Sequence, residues 1–379
     1  MQRQLSELIG PARRVALVGL AKNTGKTETL AALLRELQER SRRVGVTSVG
    51  RDGEERDVID IRIEKPRVDL CAGSLVATTD ALLRAGAIPH ELVLETGVRT
   101  PLGRVLIARL HTQGTIEVAG PSAAADVREV CDAMLAHGAE QVLIDGAIDR
   151  RAASSPAVSD GLVMSTGAAL HEEIEQVVAR TRDAVDLVRL PELRDRSGET
   201  RPSGANPSFN QHVREIAAAN AASMLIGPDE EPLTLHPRFV LTSAALDIAQ
   251  LLRARPAASH LVVRGALCEP FLAELLHALS NLRPVGGVGG VGGPKSLQLV
   301  VADATKVFLT DHSCEWYRRQ GLSIVVLSPI ELRAITMNPV APQSHSFDSP
   351  RLRALLEEAI PDVPVIDVRD PTYNLVPAA

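Results

Sequence analysis

Residues 15–27, VALVGLAKNTGKT, decide the fold. The apolar run Val15 to Val18 ends at Gly19, a short loop leads to Gly25-Lys26-Thr27, and a segment with leucines at 30, 33, 34 and 37 follows. Strand, tight loop and amphipathic helix in that order are the setting of a phosphate-binding P-loop. In such a loop consecutive backbone N–H groups wrap a polyphosphate, the lysine neutralises β/γ oxygens, and the hydroxyl after it ligates Mg²⁺. The helix N-terminus adds the positive end of its dipole. The candidate nucleotide-binding residues are therefore Gly19, Ala21, Lys22, Asn23, Thr24, Gly25, Lys26, Thr27 and Glu28. In the usual GxxxxGK spacing the first glycine would fall at Leu20, whereas Gly19 stands one place earlier. The loop is expected to be one residue longer or shifted.

The chain has 379 residues, 45% hydrophobic and 23% charged, enough for two domains with sizeable cores. Aromatics make up only 2%, so the cores must be aliphatic, as in α/β proteins with buried parallel strands. A net charge of −6, with no basic cluster interleaved with aromatics, argues against nucleic acid as a partner. The four cysteines, at 71, 131, 268 and 314, lack CxxC or CxxxH spacing, and the ten histidines form no HExxH or HxH pattern. Neither a zinc site nor a disulfide framework is indicated, and the cysteines read as small buried hydrophobes. No apolar stretch reaches the roughly 18 residues of a membrane span, so a cytoplasmic chain without membrane contact is expected.

Strand-length apolar runs alternate with amphipathic segments through the first half: Arg14 to Gly19, Arg43 to Ser48, Arg104 to Leu110, Gln141 to Asp145, Gly161 to Ser165 and Ala184 to Leu190. Helical segments at Thr27 to Glu39, Ala124 to His137 and His171 to Arg182 lie between them. This is the βαβ rhythm of a mostly parallel sheet. The tract Glu192 to Asn210 turns polar and reads as a linker, followed by a helix at about Gln211 to Ser223. Further runs at Phe239 to Leu241, His260 to Arg264, Leu297 to Val301, Val307 to Leu309, Ser323 to Leu327 and Pro364 to Val368 suggest a second, smaller α/β domain. The expected organisation is a P-loop domain over 1–191, a linker and helix over 192–225, and a second domain over 226–379. The run GGVGGVGGPKS at 286–296 imitates a second P-loop, but Pro294 removes an N–H the cradle needs, leaving a flexible glycine tract.

Nucleotide hydrolysis needs a magnesium shell beside the loop. VLID at 142–145 has the form of a Walker B strand, whose Asp145 would hold Mg²⁺ directly or through water. The tract SVGRDGEERD at 48–57 leaves the strand after the P-loop helix, where parallel sheets bind ligands, and offers Asp52 as metal or water ligand, with Glu54 second. The candidate metal set is Thr27, Asp52 and Asp145, and the catalytic set Lys26, Asp52 and Asp145. The polar tract at 147–170, with Asp149, Arg150, Arg151, Ser154, Ser155 and Asp160, either clamps phosphate on the side where Asp145 ends or pairs internally. Thr166-Gly167-Ala168 offers a further contact for base or ribose.

The strings GLAKNTGKTET, TSVGRDGE, LIDGAIDRRAASSP with VSDGLVMSTGA, VVADATKVFL and AITMNPVAP together resemble the reactivase subunit family of lysine 5,6-aminomutase. The P-loop portion is also similar to dethiobiotin synthetase and its class, and by that likeness Thr27, Asp52 and Asp145 fall on magnesium positions. The resemblance implies an ATP-driven chaperone that frees a cobalamin- and pyridoxal-phosphate-dependent aminomutase of damaged cobalamin, together with a separate ATPase subunit. It would act as a Mg²⁺-dependent ATPase and could be oligomeric. The alternatives are an ATP-dependent small-molecule ligase, for which Lys22 is the candidate acyl-binding lysine, and a metallochaperone GTPase, which lacks the His or Cys cluster it would need. With no NKxD guanine motif in the chain, ATP is the expected nucleotide.

Overall fold

The computed structural model describes residues 4–50, 67–147, 151–194, 209–228, 230–236, 242–281, 297–342, 345–370 and 373. The chain divides into two compact units, Met1–Val185 with Ile330–Ala379, and Asp186–Pro329. The first unit opens with β1 (Arg14–Gly19), β2 (Val44–Ser48), β3 (Arg67–Leu70), β4 (Leu75–Thr79) and β5 (His90–Thr100). It continues with β6 (Gly103–Leu110), β7 (Gly114–Glu117), β8 (Gln141–Ala147) and β9 (Gly161–Gly167). The second unit holds β10 (Met224–Ile226), β11 (Leu233–Thr234), β12 (His260–Val262), β13 (Leu267–Cys268), β14 (Leu297–Val301), β15 (Val307–Phe308) and β16 (Leu322–Val326). The chain then returns to the first unit as β17 (Leu332–Asn338) and β18 (Val365–Asp367).

One sheet of nine strands, ordered β18-β17-β9-β1-β8-β2-β4-β6-β5, builds the first unit. From β18 to β4 every pairing is parallel, and β6 and β5 close the far edge antiparallel. The central strands are buried along their length, which is why they read as unbroken aliphatic runs. Alternation sorts their side chains between two faces. Val15, Leu17, Val46, Leu143 and Val163 share one core cluster with Leu30, Leu33 and Leu37 of the helix Lys26–Glu39. Val142 points the other way: a Cβ on Gly45 would lie 3.2 Å from it and 3.1 Å from Met134 Sδ of the helix Ala124–Ala136. The α/β class and mostly parallel sheet expected from the sequence are thus present.

The domain boundaries differ from expectation. Residues 330–379 belong to the first unit and not to a second domain over 226–379, because β17 pairs with β9 from Leu332↔Leu162 to Asn338↔Gly167, and β18 pairs with β17. The first division falls at 185/186. Ala184 to Leu190, expected as a strand, lies largely in the helix Ile174–Val188, whose buried stripe is Ile174, Val177, Thr181 and Val185. That stripe has helical spacing, which a short apolar run hides. The expected linker begins as part of the fold: Glu192 bridges to Val326, the Leu193 N–H donates to the Val326 carbonyl at 2.8 Å, and the Leu193 side chain is buried. Residues 195–208 of that tract, Phe239 to Leu241 and the glycine tract Gly286 to Gly293 lie outside the described residues. The helix after the linker runs Phe209–Ala219.

The second unit is itself α/β, with a sheet ordered β11-β10-β12-β14-β16 in which β12, β14 and β16 are parallel. Buried Glu269, which opens the helix Glu269–Asn281, gathers the segment 310–312. It accepts from the N–H groups of Thr310, Asp311 (2.7 Å) and His312 (2.9 Å), the Thr310 hydroxyl (2.8 Å), His312 Nδ1 (3.0 Å) and the Tyr317 hydroxyl (3.0 Å). Burial opposes its ionisation, but the donors, led by the Asp311 and Thr310 N–H groups, outweigh it and hold its pKa at about 2. Of the cysteines only Cys131 is fully buried, its pKa pushed up to about 12 by burial, while Cys71, Cys268 and Cys314 are half-buried thiols. Among the described residues no helix is long and apolar enough to cross a membrane.

The Glu269 carboxylate gives a pH prediction. Its folded pKa, about 2, lies below the ordinary 4.5, so its contribution is complete above pH 4.5 and is lost as pH falls towards 2. Glu269→Gln should lower the unfolding midpoint in urea at pH 7, and the gap to wild type should shrink steadily below pH 4.5. A gap independent of pH would show that shape, and not charge, is what Glu269 supplies.

Candidate functional site

The segment Gly19–Thr27 forms the strand–loop–helix turn that the sequence indicates. The Leu20 N–H donates to the Ser165 carbonyl at 2.9 Å, so the chain leaves β1 along β9. It then folds back, with Thr24 Oγ1 donating to the Ala21 carbonyl at 2.9 Å. The turn is closed by two residues in the left-handed region, Asn23 at φ 64° and Gly25 at φ 90°. Gly19 is needed because a Cβ there would sit 2.7 Å from Thr24 Oγ1. The additional residue between Gly19 and Gly25 is absorbed by this fold-back, and Thr24 is buried instead of facing the solvent.

Lys26 is the first residue of the helix Lys26–Glu39, and its Nζ lies 2.6 Å from Asp145 Oδ1. The partners meet because β8 is the direct neighbour of β1, with Leu17↔Asp145 in register. The two side chains form a short, partly buried charge pair. Oxygen donors such as a carboxylate and a hydroxyl are the ligands a hard cation takes; Thr27 lines the cavity over the loop, while Asp145 does not. Among the described residues no three His, Cys, Asp or Glu side chains group into a metal cage.

A cavity of about 570 Å³ opens over the loop, within the range of small-ligand sites. Of the nine sequence-derived binding residues, eight line it: Gly19, Ala21, Lys22, Asn23, Gly25, Lys26, Thr27 and Glu28. Thr24 is the exception. Asp52 and Glu54 lie outside the described residues; before them, the Val49 N–H donates to the Asp145 carbonyl at 2.8 Å.

The far wall is supplied by Asn338, Val340, Ala341, Pro342 and Arg369, none of which the sequence reading named as site residues. Asn338 ends β17, its Nδ2 donates to the Asn23 carbonyl at 3.1 Å, and its Oδ1 accepts from Arg369 Nη1 and the Val340 N–H, each at 3.2 Å. A Cβ on Gly25 would meet Asn338 Cβ at 2.9 Å, and one on Gly167 would strike the Asn338 carbonyl. The available signal was Asn338-Pro339 at the end of an apolar run, a turn pair at a strand's carboxyl end.

The polar tract at 147–170 does not join the site where it is described. Asp160 accepts from the N–H groups of Arg13 and Arg14 and pairs with Arg14 Nη2 at 2.6 Å. It precedes β9, whose Gly161 pairs with Val15, so it stands at the end of the strands opposite the loop. Asp149 and Arg150 lie outside the described residues. Thr166 is buried against Thr181 Oγ1 at 2.6 Å, and the Ala168 carbonyl accepts from His345 Nε2 at 2.9 Å; neither lines the cavity. Comparison of the chain with protein-family models, curated proteins and solved structures finds no match.

The loop geometry makes Gly25 irreplaceable twice over, by its backbone conformation and by the approach of Asn338. Gly25→Ala should cost more than the ~1 kcal/mol typical of a misplaced alanine at positive φ, read as a lowered urea midpoint. An alanine variant of wild-type stability would contradict this account of the turn.

Proposed function

We propose that this chain binds and hydrolyses a nucleoside triphosphate, ATP by expectation, with Mg²⁺, at the loop Gly19–Thr27. The observation that carries the reading is Lys26, which lines the cavity together with seven other loop residues and whose Nζ lies 2.6 Å from Asp145, a residue outside the cavity's lining. Loop N–H groups and the helix N-terminus would take the phosphates, with Lys26 turning from Asp145 to the β/γ oxygens. Thr27 and Asp145 would hold the magnesium ion, which supplies charge neutralisation on the transferred phosphoryl group. Asp52 stays in the proposed metal set on the sequence argument alone.

The broader role we propose is that of a reactivase-type chaperone, in which nucleotide turnover drives release of damaged cobalamin from lysine 5,6-aminomutase alongside a separate ATPase subunit. Its support is the motif resemblance, together with a second α/β unit large enough to engage a protein client. A small-molecule ligase similar to dethiobiotin synthetase is the second reading, favoured by Lys22 in the cavity wall.

Two measurements test the nucleotide reading. Lys26→Ala should remain folded yet lose measurable affinity for a fluorescent ATP analogue, and unchanged affinity would remove the phosphate-loop assignment. Asp145→Asn should reduce Mg²⁺-dependent turnover by ~100-fold or more while Mg²⁺-free binding survives; full turnover would make Asp145 structural. For the client, capture from the native cell with and without ATP should recover an aminomutase or a partner ATPase. A lone chain that consumes ATP only when a small carboxylic acid is added would favour the ligase.

A further inference from the structure

Two chemically different sets of residues line the cavity: the loop residues with Lys22 and Lys26, and Val340, Ala341, Pro342 and Arg369. The Asn338 amide stands between the two sets, with Nδ2 on the Asn23 carbonyl and Oδ1 on Arg369 Nη1. Val340 is among the few large apolar side chains left exposed among the described residues, at 42%. An exposed apolar surface beside a planar cation suits a flat heteroaromatic ring, which gains from apolar contact on its faces and from cation–π attraction; a guanidinium also binds phosphate, and the two probes below tell these contacts apart.

Asn338 does not have the freedom to read a base itself. Its Oδ1 already accepts two hydrogen bonds, and its Nδ2 already donates one to the Asn23 carbonyl. That leaves one N–H of the amide's full capacity. Arg369, by contrast, spends one described donor, Nη1, on Asn338 and keeps the rest of its fork. Its backbone is fixed from behind: the Arg369 N–H donates to Asp367 Oδ1 at 2.9 Å, and Asp367, buried at the end of β18, also accepts from the Ser349 hydroxyl that opens the helix Ser349–Ala359. The wall carrying Val340 is fixed as well, since the Ala341 N–H donates to the His345 carbonyl at 3.0 Å and the Phe347 N–H to the Pro339 carbonyl at 2.8 Å.

We propose that Arg369 is the side chain that holds the base end of the bound nucleotide, and that Asn338 is a positioning residue, aiming Arg369 with its Oδ1 while its Nδ2 holds Asn23 in the left-handed turn. The proposal rests on the nucleotide reading above and assigns to the last fifth of the chain a direct part in that site.

Two probes separate base contacts from phosphate contacts: the Mg²⁺ complex of a non-hydrolysable ATP analogue, and Mg²⁺-tripolyphosphate, which has phosphates and no base. Each is titrated calorimetrically into the full chain and its variants, with thermal unfolding as the check on folding. Arg369→Ala should weaken the ATP analogue on the order of tenfold and leave tripolyphosphate unchanged. An equal loss for both probes would place Arg369 on the phosphates, and no loss for either would remove it from the site; both overturn the assignment. Arg369→Lys keeps the charge but not the planar fork, and should recover only part of the ATP affinity.

Asn338→Asp keeps the acceptor facing Arg369 and the Val340 N–H but turns an acceptor towards the Asn23 carbonyl. It should weaken both probes, because the loop itself loses its support; unaltered tripolyphosphate binding would remove the positioning role. Lys26→Ala is the control on the underlying reading and should abolish both. If it abolishes neither, the nucleotide reading fails; if it abolishes both while Arg369→Ala changes nothing, only the present proposal fails.

Discussion

Three buried hydroxyls beneath the loop fix where it can stand. Thr29 Oγ1 lies 2.7 Å from Thr336 Oγ1 and 3.2 Å from Ser165 Oγ, and Ser165 Oγ lies 2.8 Å from Thr336 Oγ1. All three are within 1% of complete burial. In such a setting each hydroxyl must find its partners inside the protein, since an unpaired buried donor costs ~1–3 kcal/mol. Thr29 also donates to the Gly25 carbonyl at 2.9 Å, which places the first turn of the helix Lys26–Glu39 over β9 and β17 together. Small side chains matter here as much as polarity. Larger residues at 29, 165 or 336 would lift the helix and move the left-handed turn at Gly25 off Asn338.

The ion pair of Lys26 and Asp145 stands on this frame and is governed by a different balance. Two unit charges 4 Å apart attract by about 4 kcal/mol at an effective dielectric of 20, while partial withdrawal from water costs several kcal/mol per ion. Terms so nearly equal leave little net stabilisation, and the consequence of the pair is orientation. Lys26 is drawn towards the β8 strand end, away from the positive end of its own helix, so the loop is not left with two uncompensated positive features side by side. Under the proposed function, a polyphosphate would relieve that crowding more fully than one carboxylate does.

What was legible in the sequence follows from how locally each feature is encoded. The loop is contiguous, and its glycines, lysine and threonine announce their chemistry within nine residues. Asp145 was legible because an apolar run closing on a carboxylate marks a buried strand's end. The Asn338–Arg369 wall was not, because it reaches the loop only through the β9–β17 pairing, across a separation of 315 residues between Asn23 and Asn338. Arg333 and Thr336 also interrupt the apolar look of β17, and nothing in a one-dimensional pattern says which sheet a late strand joins. Asp160 shows the converse: it sits in the polar tract that follows Asp145 in sequence, yet the parallel register carries it to the opposite end of the strands. A chain that leaves one strand at one end of the sheet's strands must begin the next parallel strand at the other end, so neighbours in sequence across a crossover are separated by a strand's length.

That same crossover explains the division of the chain. β9 and β17 are parallel neighbours, and parallel neighbours need a crossover of a dozen or more residues, usually a helix. The helix Ile174–Val188 supplies that length, so Asp186–Pro329 is in effect an insertion in a connection already long enough. Closing a longer connection costs little, since the entropy grows only with the logarithm of its length. The insertion ends at Pro329, and the next strand is β17, whose last residue is Asn338. Covalently, then, the inserted unit is followed at once by the strand that supports the left-handed turn of the loop. A ligand at the loop can bias the inserted unit only by making contacts that differ between two arrangements of the chain, and β17 is the element through which such a difference has the shortest covalent route.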